Sequence, residues 1–233
     1  MIEYICANRN RMKYIRSGAI IFALFLFSCN HDNKREKSTH KADTTYKTSK
    51  FSDLSNDKQQ IQDLIRKVLI WTESDKSIGL LPVLTDSKDS VVVGFDLEKL
   101  KVNLEKLKAT NLFSTRFIEN YNQIILTLDK GLRNHKYDKW STGELPTFGF
   151  ANDVDPWCEC QDYLSYGLVE VEVINLDNEK GELYWRWGKA ELDKSADDWK
   201  SFTYKFNVEK ENGKWKISYM QGFDFKEGTK KDG

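Results

Sequence analysis

A chain of 233 residues, 39% hydrophobic and 13% aromatic, is long enough for one folded domain with a substantial core plus appendages. Its formal net charge of zero hides an uneven distribution: the first fifty residues are basic, which leaves about −6 for residues 51–233. An acidic domain argues against nucleic acid as a partner, because phosphate backbones are gripped by a surplus of lysine and arginine.

At the N-terminus, Lys13 and Arg16 precede an apolar run from Ala19 to Phe27, too short to span a bilayer and of the length of a signal-peptide core. Met12-Lys13-Tyr14-Ile15-Arg16 alone would make an ordinary signal-peptide start, so residues 1–11, with Cys6, read as an upstream extension. The run ends in Leu26-Phe27-Ser28-Cys29, which resembles the lipobox of bacterial lipoproteins, with Phe27 bulkier than usual for its place. The resemblance implies that residues 1–28 are removed, that Cys29 receives a diacylglyceryl thioether and that the new N-terminus is acylated with a palmitate-type chain. Two or three acyl chains anchor stably where one is marginal. A secreted protein with an incidental cysteine and an uncleaved anchor are the other readings. The expected location is the cell membrane or outer membrane of a bacterium with a periplasm. Asn30 favours the outer membrane, since aspartate there is the retention signal of the best-known sorting system.

Residues 29–50 read as a disordered tether. From Asn30 to Lys50 there is no Val, Ile, Leu, Met, Phe or Trp, so the segment buries too little to repay its ordering. A flexible coil of this length separates its ends by on the order of 25 Å. His31 and His40 fall here and read as solvated.

The domain is expected over residues 51–225, with a polar tail over 226–233. Asn56 as N-cap and Gln59 three positions later open a helix whose stripe is Ile61, Leu64, Ile65, Val68 and Leu69. Ile78 to Phe95 reads as loop with a short apolar run at Val91–Val93. Leu97, Leu100, Leu104 and Leu107 mark a second helix from near Asp96. After a break at Thr110-Asn111, Phe117, Tyr121, Ile124, Ile125, Leu128 and Leu132 mark a third. The connection 135–154 carries Trp140, Phe148 and Phe150 and reads as a flap packed by its own aromatics.

Asp155-Pro156-Trp157-Cys158-Glu159-Cys160-Gln161-Asp162-Tyr163 is a hinge after which the apolar period changes from helical to two. Val169, Val171 and Val173 alternate with Glu170 and Glu172, then the parity flips at Ile174 and Leu176, as a bulge requires. Leu183, Trp185 and Trp187 share one face of the return strand, with Arg186 opposite. Phe202 to Val208 and Trp215 to Tyr219 flank Asn212-Gly213, a strong hairpin signal. Helices first and a four-stranded antiparallel meander last make an α+β fold with the helices against one sheet face. The element order, Thr110-Asn111-Leu112-Phe113-Ser114 with Phe117-Ile118 and Asn120-Tyr121, the hinge, and Asn212-Gly213-Lys214-Trp215-Lys216-Ile217 resemble uncharacterised bacterial lipoproteins of the nuclear transport factor 2-like superfamily. The resemblance spans residues 56–224. It implies a cone with a cavity between curved sheet and helices, a homodimer through the sheet as a recurrent assembly, and no catalytic residue to carry over.

In an envelope compartment Cys158 and Cys160 are free to bridge: on an extended strand they share a face, and such a local disulfide would be labile. Two independently packed thiols are the first reading of the pair, with the local bridge second and a redox or metal role third. His135 is the only histidine of the domain, which leaves no histidine triad and no zincin-type site, and neither metal nor cofactor is expected. Asp153, Asp155, Glu159 and Asp162 are the densest carboxylate cluster. One of them could act as general acid or base in a dry cavity, but Asp153 and Asp155 are also natural turn formers before Pro156. The candidate ligand residues are Trp157, Gln161, Asp162, Trp185 and Arg186: aromatic faces, an inward polar pair and a guanidinium for an anion. The reading is a non-catalytic module that binds a small molecule or an envelope protein. A pocket enzyme of the isomerase, dehydratase or hydrolase type using Asp162 or Glu159 is the rival.

Overall fold

The computed structural model describes residues 45–86, 88, 90–161, 166–188 and 202–232. The fold is α+β: three helices and a small hairpin precede a four-stranded antiparallel sheet. Among the described residues no helix is long and apolar enough to cross a membrane.

Helix α1 runs Thr45–Thr72, so it starts well upstream of the Asn56 cap signal and takes in the end of the segment read as tether. Once the stripe Ile61, Leu64, Ile65, Val68 and Leu69 is buried, extending the helix adds a backbone bond for each residue fixed. The 78–95 region is not loop but a hairpin, β1 Val83–Asp86 and β2 Val91–Phe95. Its strands are too short to show a period. They are held from outside, by Val92 N–H donating to the Trp140 carbonyl and by an isolated bridge from Val91 to Ser141.

Helix α2, Leu97–Thr110, starts where Asp96 accepts from the Glu98 and Lys99 N–H groups, and ends at Asn111 in the left-handed region. Helix α3, Thr115–Arg133, is capped by Ser114 and buries Phe117, Tyr121, Ile124, Ile125, Leu128 and Leu132, the whole expected stripe. Between them, Leu112–Ser114 lies against the last strand of the sheet, with Ser114 N–H donating to Ile217 O and Ile217 N–H to Leu112 O, so that edge is covered.

The sheet consists of β3 Val169–Leu176, β4 Lys180–Trp187, β5 Tyr204–Glu211 and β6 Lys214–Met220, paired in that order. The register of β3 on β4 shifts between Val173 and Asn175, the bulge that the parity flip demands. A second shift, between Asn207 and Val208, places Tyr219 opposite Asn207. Trp215 and Ile217 are therefore buried while Tyr219 is only half-buried, against the single alternating face read from the sequence. Tyr219 occupies the face away from the core because the extra residue Ser218 inverts the parity of β6 beyond it, while Asn207 has its outward face from plain alternation between the buried Phe206 and Val208.

The flap 135–154 does pack with its own aromatics. Tyr137, Trp140, Phe148 and Phe150 are all buried, Phe148 meeting both Tyr137 and Trp140 edge-on. The C-terminal segment is not a free tail. Helix α4, Phe225–Gly228, follows β6, and the chain then pairs with the flap through Gly149 N–H to Lys230 O, Phe150 N–H to Gly228 O and Asp232 N–H to Thr147 O. Polar composition misled there because the pairing is through backbone, to which any residue contributes equally.

Candidate functional site

Concave regions border the sheet at the hinge, at its turn end, and beside β3 where Val171, Glu172, Val173 and Arg186 meet Ser55 and Lys58. The hinge is not an extended strand. Asp155 O accepts from Cys158 N–H and Glu159 N–H, Asp155 N–H donates to Cys160 O, and the Asp155 carboxylate accepts from Trp157 N–H at 2.9 Å. One compact turn results, with Glu159 at φ +47°. Across its mouth Cys158 and Cys160 form a disulfide, their Cα atoms 5.1 Å apart.

Trp157, 3% exposed, projects from the turn into the centre of the molecule. There it meets Trp71, Phe113, Phe117 and Phe223 at centroid distances of 4.5 to 6.0 Å. These rings, with Tyr121 and Phe150 beyond Phe223, fill the space between helices and sheet. Trp185, 1% exposed, packs edge-on against Trp187 and stacks on Tyr204. Both tryptophans that the sequence offered as ligand platforms are thus core residues. Their polar handles notwithstanding, burial of this much ring surface is among the largest favourable terms a side chain supplies.

Above them Glu159 closes a slit of about 10 Å³ bordered by Trp157, Trp185, Tyr204 and Gln221. Its carboxylate accepts from Gln221 Nε2 at 2.5 Å. Burial pushes the Glu159 carboxyl up, and the Gln221 bond only partly offsets this. Its charge in turn adds to burial in raising Tyr204, and is a lesser contributor beside burial and Asp224 in pushing Tyr219 up to about 12. Gln161 is exposed at the end of the hinge. Asp162, Cys29 and the segment read as signal peptide lie outside the described residues. The structure therefore does not gather Trp157, Gln161, Trp185 and Arg186 into one site. Arg186 stands on the opposite sheet face, its Nε 3.4 Å from Glu170 and its Nη1 3.9 Å from Glu172.

Besides a concavity of about 740 Å³ bordered by Lys58, Glu172 and Arg186, a groove of about 200 Å³ crosses the turn end of the sheet. Asn175, Asp177, Lys180, Glu182, Asn207, Glu209 and Ser218 line it, with Arg116 from the first turn of α3. Two of its carboxylates are engaged. Asp177 accepts from the Glu179 and Lys180 N–H groups, which hold it below its ordinary value, and Glu182 pairs with Lys205. Arg116 has no ion pair among the described residues. Asn207 Oδ1 is buried and receives no hydrogen bond, the only side-chain atom in that condition among the described residues. Buried polar atoms are almost always paired, so an orphan acceptor in a groove is an observation to account for. Sequence reading missed Arg116, Asn207 and Ser218 as groove residues: alternation gives Asn207 its outward face but not what lies beside it, and the bulge at Ser218 and the seating of α3 decide the other two. No group of three or more His, Cys, Asp or Glu among the described residues could hold a metal ion. No protein-family model, no curated protein and no solved structure matches the chain.

Proposed function

We propose that this chain is a lipid-anchored binding protein of a bacterial cell envelope. Residues 1–28 serve as its signal peptide, Cys29 carries the acyl chains into the membrane or outer membrane, and a nuclear transport factor 2-like domain binds without transforming. The observation that carries this reading is the groove itself, lined by polar side chains including Asn207 and Ser218, with an exposed Arg116 that has no ion pair among the described residues. An exposed guanidinium in a groove of amide and hydroxyl side chains suits a small polar ligand that brings an anionic group. Occupancy and homodimerisation through the same sheet face would compete, since a second copy would cover the groove.

The rival reading is a pocket enzyme using Glu159, and its raised carboxyl is the feature in favour. The slit beneath Glu159 has room for about one water molecule, which leaves no place for a substrate beside that carboxyl. Binding is the better supported function.

Native mass spectrometry of the full chain released from envelopes in mild detergent tests the proposal. A small-molecule adduct is expected that disappears on denaturation and is absent from Arg116→Ala and Asn207→Leu variants. A clean apo mass at native concentration would overturn the groove reading. Loss of fatty-acid labelling in Cys29→Ser tests the anchor separately.

A further inference from the structure

We infer that the Cys158–Cys160 disulfide is a thiol–disulfide exchange site, open to external dithiols in the folded protein, and not a bond that holds the fold. The inference is independent of the groove. A bridge over two positions closes a very short loop, so it removes little entropy from the unfolded chain and stabilises correspondingly little. The turn it spans is already fixed by other means: three backbone hydrogen bonds to Asp155 and Cys160, and Trp157 seated in the core. The residue inside the ring, Glu159, is held in the left-handed region that a non-glycine side chain seldom adopts, and opening the ring frees it to leave.

The two sulfurs are unequally placed. Cys158 is 1% exposed, while Cys160 is only partly buried and adjoins the exposed Gln161. Access therefore selects Cys160 as the sulfur attacked. In the first step a thiolate of the dithiol bonds to Cys160 Sγ, the Cys158–Cys160 bond breaks, and its electron pair goes to Cys158 Sγ, which takes up the proton the donor thiol has lost. In the second, the other thiol of the donor attacks the mixed disulfide, forming the donor's own disulfide and releasing Cys160 as a thiol. The dithiol is oxidised and the cysteine pair is reduced, with no further reactant.

The test uses the full chain in native buffer with reduced dithiothreitol as probe, acid quenching, alkylation and tryptic mapping. Fragment 140–180 contains Cys158 and Cys160 and neither of the other cysteines. Reduction in the native protein is expected within about tenfold of the rate in concentrated urea, with the native circular dichroism retained, as for an accessible bond. Greater protection in the native state, loss of the fold on reduction, or a fragment that carries two free thiols from the outset would overturn the inference. The order of attack has its own readout: with oxidised glutathione, Cys160 in Cys158→Ser should form a mixed disulfide at least about tenfold faster than Cys158 in Cys160→Ser. Equal rates would sink the assignment of Cys160 as the sulfur attacked.

Discussion

Asp57, in the first helix, accepts a hydrogen bond from Trp215 Nε1 at 2.9 Å across 158 positions of sequence, while its other oxygen lies 3.3 Å from Lys210 Nζ. Lys210 in turn stands 4.4 Å from the centre of the Trp215 ring. The three groups tie α1 to the β5–β6 hairpin at one end of the sheet. Asp57→Ala leaves the indole N–H and the ammonium without their acceptor and is expected to cost about 1 to 3 kcal/mol. Asp57→Asn keeps an acceptor for Trp215 and forfeits only the partly exposed ion pair, about 1 kcal/mol or less. Urea denaturation of the two variants separates these contributions, and equal losses would mean that the charge matters more than the indole bond.

The other end of α1 secures the opposite edge of the sheet. Arg66 donates through Nη2 to Val169 O at 2.8 Å, at the start of the edge strand β3, and to Gly167 O at 3.2 Å, in the short turn before it. Arg66→Met retains the apolar stem and removes the donors. A loss of about 1 to 3 kcal/mol is expected, from carbonyls left without partners. The uncovered edge should also raise concentration-dependent association, measurable by light scattering. An unchanged urea midpoint together with unchanged scattering would show that water replaces Arg66 without penalty.

Trp157→Ala removes the central ring of the aromatic cluster. A loss of about 3 to 5 kcal/mol is expected in chemical denaturation, in the range of large-to-small changes at fully packed sites. If Trp157 instead served as a ligand platform, the substitution would spare stability and abolish binding.

Gly222 faces the hinge so closely that an added Cβ would lie 2.2 Å from Pro156 O. Gly222→Ala must push the hinge off the sheet, and a loss of about 1 to 3 kcal/mol follows from overpacking against backbone. The slit under Glu159 should open as well, so hydrogen exchange at Cys158 and Glu159 should quicken in the variant; unchanged exchange there would place the adjustment elsewhere.

Two carboxylates shift in opposite directions and give opposite pH signatures. Asp177 is held below its ordinary 3.8 by the Glu179 and Lys180 N–H groups, so its contribution is present above that value and is lost as pH falls through the lower, folded value. The difference in urea midpoint between the wild type and Asp177→Ala should shrink below about pH 4. Glu159 is raised by burial, so the folded state favours its protonated form, and that contribution fades as pH rises through the raised value. Glu159→Gln removes the buried charge while keeping a hydrogen-bond acceptor for Gln221, and should raise the midpoint at neutral pH more than at acid pH. A midpoint difference independent of pH would exclude titration of Glu159 as the cause.

The sequence by itself determined the layers of this protein. The stripes Ile61 to Leu69 and Phe117 to Leu132, the alternation of β4, the bulge at Ile174 and the Asn212-Gly213 turn are local patterns, each repeated at the period of its own backbone, and each stands where it was expected. What lies in hand only after folding is everything that depends on a partner distant in sequence. The β1–β2 hairpin rests on the flap. The C-terminal segment rests on residues 147–150. The hinge curls into a turn because Asp155 gathers its N–H groups, which brings Cys158 and Cys160 together. The candidate sites divide along the same line. Trp157, Trp185 and Arg186 carried chemistry that suits a ligand, but periodicity gives a side chain's face and not what covers that face. Packing made the tryptophans core and left Arg186 between two glutamates, while a one-residue bulge brought Ser218 to the groove that Asn207 and Arg116 also line.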